Sequence, residues 1–379
     1  MIDLLAVDLF NPVSEKRIVI IADWLPPDFG AVGQYMQIRA RALAERGHQV
    51  TLVGLASEGA SVRQERVGEG SLSEVRLAAQ PVPRASLIRR LWWTISIDSR
   101  LLVAAFSKLR TADGVLFTGA PPFLIHFLAP LRLLWKGRLI YRITDFHPEC
   151  LIAAQERPSR LLQLLLVVTN FWRRRIDGFE VLGEDQFRRL RETGIPEDRI
   201  SLVRDRSPVS FAEGEPAEAL PADLEGHCVL LYSGNYGIAH EVDTVAEGYR
   251  LHHHQGSGRV RLWLSATGTG AEQLAKRLAD HHLPFHKSAP VPLERLARLL
   301  RAPHGHLITL KDQFVGFVMP SKVYACIASQ RPVIFVGSSG SDVDFLAQSA
   351  KAGYRRVSCG DTAGFSAMLD QLADRAIGS

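Results

Sequence analysis

Twice in this chain an apolar run of strand length leads at once into a glycine-containing loop and then a helical pattern. That alternation restricts the fold more than any other feature. The first instance is RIVIIAD at 17–23, followed by WLPPDFGAVGQ and a helix with apolar positions at Tyr35, Ile38, Ala42 and Leu43 that stops at Gly47. QVTLVGL at 49–55 is the next strand. A continuous apolar run suits a strand buried on both faces, and strand, helix and strand of this length make one unit of a parallel sheet. The second instance begins with a strand at 227–232 and continues through Ser233-Gly-Asn-Tyr-Gly237, a helix over 240–251 and a strand over 259–265. Glycine at such a loop lets a ligand approach the backbone, and the helix start that follows favours an anion. Gly30 and Gly33 lack the GxGxxG spacing, so they are not read as a dinucleotide fingerprint.

At 379 residues, 46% of them hydrophobic, the chain is too long for one ordinary core and suits two α/β domains. The stretch 207–226, SPVSFAEGEPAEALPADLEG, has no sustained apolar pattern and reads as a linker. It separates a first domain over 1–206 from a second domain over 227–364. A last helix within 365–379 is expected to pack back on the first domain. Residues 1–16 show no periodicity and read as an extension. Asp3 and Asp8, with no basic start, argue against a signal peptide. The charge-free run 114–131 contains Pro121, Pro122 and Pro130, so it reads as strand, turn and helix rather than a membrane span. Four scattered cysteines without a CxxC pair fit a reducing cytoplasm. A net charge of +5 points to anionic partners. Nucleic acid is excluded as the partner, since the basic residues are dispersed and no recognition motif occurs.

Between these landmarks, 57–83 is polar and reads as a hairpin or a mobile loop. Residues 87–110 keep helical apolar spacing with Arg89, Arg90, Arg100, Lys108 and Arg110 around it. This is either an interfacial face for anionic lipid or a core helix with solvated basic side chains. The strand over 138–144 ends in Asp145-Phe-His-Pro-Glu149. Polar residues just past a strand's carboxyl end lie where α/β folds bind ligands, so Asp145, His147 and Glu149 are candidates for acid–base work or sugar contact. The helix over 160–176 ends in three arginines, which suit a helix C-terminus. In the second half, Ala266-Thr-Gly-Thr-Gly270 opens a helix, and a strand at 306–310 precedes Lys311.

The stretch 316–337, GFVMPSKVYACIASQRPVIFVG, reads as loop, helix and buried strand. Pro320 suits a first helical turn, and Ser321 and Lys322 follow it to make an anion site, most often for phosphate. Asp342 and Asp344 form a DxD string at a helix start and read as capping rather than as metal ligands. Two doubly wound domains would set two rows of strand ends facing one cleft, whose closure could exclude water.

The segments WLPPDFGAVGQYMQIRARALAERGHQVTLV, ITDFHPE, LYSGNYGIAHEVDTVAEG and above all LITLKDQFVGFVMPSKVYACIASQRPVIFVG resemble family-4 nucleotide-sugar glycosyltransferases of the two-Rossmann (GT-B) type, in their cell-surface polysaccharide branch. The resemblance runs from about Arg17 to Leu346. It implies transfer of a sugar from a nucleotide diphosphate donor of UDP or GDP type to a lipid-linked or saccharide acceptor, with retention and without a bound metal. The 87–110 stretch and the basic charge add an expected place in the cytoplasm or at the cytoplasmic face of the inner membrane. On matching positions the resemblance implies that Ser321 and Lys322 hold the diphosphate. Gly234, Asn235 and Gly33 would let the backbone approach it, while Lys311, Gly316 and Tyr324 frame the donor. Asp145 and Lys322 would be the catalytic pair, with His147 and Glu149 near the sugar or acceptor. The family's two glutamates, with seven residues between them, are replaced by Val315 and Val323, the glutamate after the tyrosine by Ala325, and a common lysine by the run Ala239-His240-Glu241. A sugar-nucleotide epimerase, a glycoside phosphorylase or a non-catalytic nucleotide-binding subunit on the same scaffold are the alternatives.

Overall fold

Ile18 to Ala22 offer no face that tolerates water. In the computed structural model they form the centre of β1 (Arg17–Trp24), buried on both sides. The structure describes residues 16–28, 30–80, 87–134 and 136–377, so nearly all of the N-terminal extension and residues 81–83 of the hairpin reading lie outside it. The chain divides between Asp205 and Arg206 into two units.

In the first unit β1 is followed by α1 (Ala31–Glu45), β2 (Gln49–Ala56), β3 (Ser61–Val67), β4 (Gly70–Ala78), α2 (Leu87–Leu109), β5 (Gly114–Thr118) and α3 (Ile125–Leu128). Then come β6 (Arg138–Ile143), α4 (Glu149–Ala153), α5 (Arg160–Arg173), β7 (Gly178–Val181), α6 (Glu184–Glu192) and β8 (Ile200–Leu202). The strands run in the order β3-β4-β2-β1-β5-β6-β7-β8. All pair in parallel except the β3–β4 hairpin, which occupies most of the stretch read as a hairpin or mobile loop. Ile18 lies opposite Val50 on one side and Gly114 on the other, so the apolar runs align in register. A buried ion network fastens α1 to the sheet. Arg39 pairs with Glu180 on β7, and Arg142 on β6 reaches both Glu180, at 3.1 Å, and Asp205, at 2.5 Å. Such a network fixes geometry more than it stabilises, because desolvation consumes most of the Coulomb gain.

The second unit contains β9 (Cys228–Asn235), α7 (Asp243–His254), β10 (Val260–Thr267), α8 (Thr269–Asp280), β11 (Phe285–Ser288) and α9 (Leu293–Arg301). It continues with β12 (Gly305–Thr309), α10 (Lys322–Ala328), β13 (Val333–Val336), α11 (Asp342–Ala347), β14 (Tyr354–Val357) and α12 (Thr362–Ile377). Its all-parallel sheet has the order β11-β10-β9-β12-β13-β14, which reverses direction between β9 and β12. The last helix corrects an expectation. Within the second unit α12 packs on α7, and Phe365, Leu369, Leu372 and Ala373 are buried in that unit's core. Gly248 on α7 makes the room, since a Cβ there would come within 2.8 Å of the Phe365 ring. The stretch 207–226 has neither helix nor strand, yet it is fastened to the second unit. Leu224 is buried there, Phe211 and Leu220 pack beside it, and Arg301 donates to the carbonyls of Ala212 and Glu215.

Candidate active site

Ligands of doubly wound sheets bind beyond the carboxyl ends of the strands where the order reverses. In the second unit that place lies at the ends of β9 and β12. β9 ends in Gly234, whose φ of 100° favours glycine, and in exposed Asn235. The chain then folds back on itself: Tyr236 N–H donates to the Thr267 carbonyl at 2.7 Å, and Tyr232 OH donates to the Asn235 carbonyl at 3.0 Å. Tyr232 and Tyr236 stack at 4.1 Å, and the His240 ring stands edge-on to both. Close packing here leaves no room for a Cβ at Gly268, which would meet Asn235 Oδ1 at 2.5 Å.

Beyond β12, Lys311 N–H donates to the Ala239 carbonyl at 2.9 Å, which ties the two loops together. The sharp turn after Phe314 is closed by Gly316 at φ 78°. Ser321 is half-exposed in helical conformation, and α10 begins at Lys322. That helix has only seven residues, so charge at this site comes from the lysine more than from a helix dipole. Lys322 is not extended toward solvent as a free ammonium. Its Nζ is buried 3.3 Å from the centroid of the Tyr232 ring and has no hydrogen-bond partner among the described residues. Burial pulls its ammonium down from 10.5 to about 7, and no carboxylate acts on it. His240 is likewise buried and is lowered to about 3, first by burial and then by the charges of Lys322 and Lys311. A neutral ring whose Nδ1 lies 2.6 Å from the Thr309 carbonyl carries its proton on Nδ1. Tyr324 is half-buried on the same helix. The site is therefore a desolvated cationic corner with aromatic backing, and Lys322 has no counter-charge among the described residues.

Glu241, in the run that replaces the family's lysine, is occupied elsewhere. Its Oε1 accepts from Thr244 N–H at 2.9 Å and Thr244 Oγ1 at 3.0 Å, which caps α7. At the DxD string the cap is Ser341, whose Oγ accepts from Asp344 N–H, while Asp344 accepts from the Tyr354 hydroxyl at 2.5 Å. No group of three or more potential metal ligands occurs among the described residues.

The first unit carries a second polar cluster, at the ends of β1 and β6. Asp145 is half-buried, and burial raises its carboxyl to about 6. Asp23, the last residue of the RIVIIAD run, was not singled out by sequence reasoning. Burial raises it to about 7, against the backbone N–H groups of Gly33 and Trp24 and with added repulsion from Asp145. Its Oδ1 is buried without a partner among the described residues. The signal was an acid closing an otherwise apolar strand beside the β1–β5 reversal. Burial is the main cause for both carboxyls, and the charge of Asp145 adds to the rise at Asp23. Gly33 lies in the same corner, but its missing side chain serves packing: a Cβ there would sit 1.8 Å from the Trp24 carbonyl oxygen. His147 is lowered to about 4 by burial, with Arg173 adding to the effect, and its Nδ1 has no partner among the described residues. Glu149 is structural. It forms a buried bidentate pair with Arg173, which also donates to the His147 carbonyl at 3.2 Å. The Arg173 reading as a helix-end charge is corrected accordingly, since that side chain is fully buried.

No family model matches the chain. A Pseudomonas aeruginosa protein described as probable glycosyltransferase WbjE is 22% identical over 277 residues, covering 71% of this chain and 68% of that protein. Among solved structures, sucrose-phosphate synthase from Thermosynechococcus elongatus superposes with a TM-score of 0.69 at 15% identity over 96% of this chain and 91% of that one. A UDP-forming α,α-trehalose-phosphate synthase from Burkholderia xenovorans, solved with glucose-6-phosphate, gives 0.64 at 13% identity over 94% and 92%. An E. coli structure described as trehalose-6-phosphate bound with UDP-2-fluoro glucose gives 0.62 at 11% over 94% and 91%.

Proposed function

The chain has the GT-B glycosyltransferase fold, and on that premise we propose that it transfers a sugar from a nucleotide diphosphate sugar to a lipid-linked or saccharide acceptor in surface polysaccharide assembly. The observation that carries this reading is the buried, unpaired Lys322 ammonium at the carboxyl edge of the second sheet, with Lys311 also acting on the shared neighbour His240. A buried cation without a counter-charge is costly, and a diphosphate is the anion that relieves it.

The donor diphosphate binds the second unit through Lys322, Lys311 and the Ser321 hydroxyl. In the reaction the bond from the anomeric carbon to the diphosphate oxygen breaks, and its electron pair stays on that oxygen. Lys322 stabilises this charge more as it develops than in the bound donor, because the site excludes water. The acceptor hydroxyl forms the new bond to the anomeric carbon. Its proton passes to the departing diphosphate oxygen if the configuration is retained. Asp145 orients a hydroxyl by accepting its hydrogen bond, and its charge helps keep neighbouring Asp23 protonated. The WbjE likeness supports glycosyl transfer, and the E. coli structure with UDP-2-fluoro glucose supports a nucleotide-sugar donor. Membrane contact at the cytoplasmic face is assigned to α2, whose basic residues would meet anionic lipid where a lipid-linked acceptor lies.

The test is a thermal-shift panel of UDP- and GDP-linked sugars, followed by assay of nucleotide release with acceptor. A rise in the midpoint with one donor class and acceptor-dependent release support the reading. No shift with any sugar nucleotide refutes it. One observation favours a binding subunit without turnover: Val323, where the resemblance to family-4 enzymes would place a glutamate, is fully buried. Binding without nucleotide release would select that alternative.

A further inference from the structure

The outward face of α5 is apolar from end to end. Leu161 is 73% exposed, Leu164 59%, Val167 66% and Phe171 44%, with Val168 beside them. On the opposite side Thr169 and Arg173 are buried. The helix contains no acidic residue. Exposed Arg160 opens it, and exposed Arg174 and Arg175 follow its end. The Arg175 guanidinium lies 3.5 Å over the Phe171 ring. Both α2 and α5 belong to crossovers that advance toward the β8 edge, so right-handed connections put them on one side of the sheet, and α3 packs against each. On α2, Trp92 and Val103 are exposed at 67% and 75%, Arg100 and Lys108 are exposed, as is Arg110 just past its end, and the sole acid, Asp98, is buried. No helix among the described residues is long and apolar enough to cross a membrane.

We propose that α5, with α2 beside it, lies in the interfacial layer of an anionic lipid bilayer. This rests on the membrane contact assigned to α2 and deepens it by naming the principal contact. The chemistry favours lipid over a protein partner. The face consists of aliphatic side chains and Phe171 along a helix, with cations at both ends and no acid; of its two amides, Asn170 is engaged by Arg173 and Gln163 alone is exposed. Acyl chains accept such a stripe without complementary shape, and headgroup phosphates accept guanidinium groups that reach outward from its ends.

The experiment is co-sedimentation of the full chain with vesicles of phosphatidylglycerol and phosphatidylcholine at about 3:7, against phosphatidylcholine alone. The wild-type chain should partition into the anionic vesicles and fall off them as salt rises. Leu164→Glu with Val168→Glu should weaken partition by about tenfold or more, with unchanged circular dichroism, because both positions are solvent-facing. Trp92→Glu with Val103→Glu should weaken it less. Donor-induced thermal shift should persist in every variant, which separates this surface from the transferase reading. If the α5 variant partitions like wild type while the α2 variant does not, α5 is excluded and α2 remains. If wild type binds neither vesicle, or binds both equally, the anionic-lipid surface is refuted. If wild type sediments as a dimer that the α5 variant loses, the face belongs to a second copy and the proposal falls.

Discussion

Replacing Lys322 by methionine should make the unliganded protein more stable. Burial lowers the ammonium from 10.5 to about 7. At pH 7 the gap between those values weighs about 4 kcal/mol against the folded state. The Tyr232 ring beneath Nζ returns about 1–2 kcal/mol as a cation–π contact. The net gain on removing the charge is then about 2–3 kcal/mol, and methionine keeps most of the length and rests its sulfur on the same ring. Thermal unfolding followed in the second unit should shift upward by about 5–10 °C. The pH dependence supplies an independent sign. The folded-state value is depressed, so between about pH 7 and 10.5 the unfolded chain binds a proton that the folded chain does not. Wild-type stability therefore rises with pH across that window, and the advantage of the variant shrinks by about 2 kcal/mol from pH 7 to 9. A destabilised variant, or an advantage flat in pH, would mean that the ammonium already has a counter-charge and would refute the reasoning.

Three further outcomes follow from the first unit. Asp23→Asn should raise stability at pH 8 by about 2–4 kcal/mol, because the raised carboxyl costs stability that builds from about pH 4 and is full above its folded value near 7, and the gain should vanish toward pH 4; sugar transfer should fall in the same variant, and a fully active one would remove Asp23 from the site. Glu149→Gln should cost about 3–5 kcal/mol in urea unfolding, since it strands the buried Arg173 guanidinium; a loss under about 1 kcal/mol would show that Asn170 and the His147 carbonyl suffice. Gly33→Ala should cost about 3 kcal/mol or more, because its Cβ meets the Trp24 carbonyl at 1.8 Å and neither backbone can yield cheaply. A neutral result there would argue that α1 is not seated on β1 as described.

Much of the architecture was legible because apolar runs of strand length and 3.6-residue periods are local signals. β1, β2, β9 and β13 each announce themselves in four to eight residues. The positions of Lys322 and Glu149 were legible as well, but their surroundings were not. Tyr232 is ninety positions before Lys322, and nothing local predicts that its ring lies under the ammonium. Glu149 likewise meets Arg173 across 24 positions, and the pairing turns an apparent sugar contact into a buried ion pair. The placement of α12 failed for a related reason: Phe365, Leu369 and Leu372 state that one face is buried, not which sheet buries it. In α5 the opposite ambiguity holds, since leucines that face water and leucines that face a core have the same period.

The central claim is that Lys322 awaits the donor diphosphate, and proton uptake tests it most directly. Free Lys322, near 7, is about one-tenth protonated at pH 8. Seated against a diphosphate it must be fully charged. Calorimetric titration with the preferred sugar nucleotide in two buffers of different ionisation enthalpy should therefore record an uptake of about 0.9 proton at pH 8, absent in Lys322→Met. Binding with no proton uptake by the wild-type protein would contradict the account.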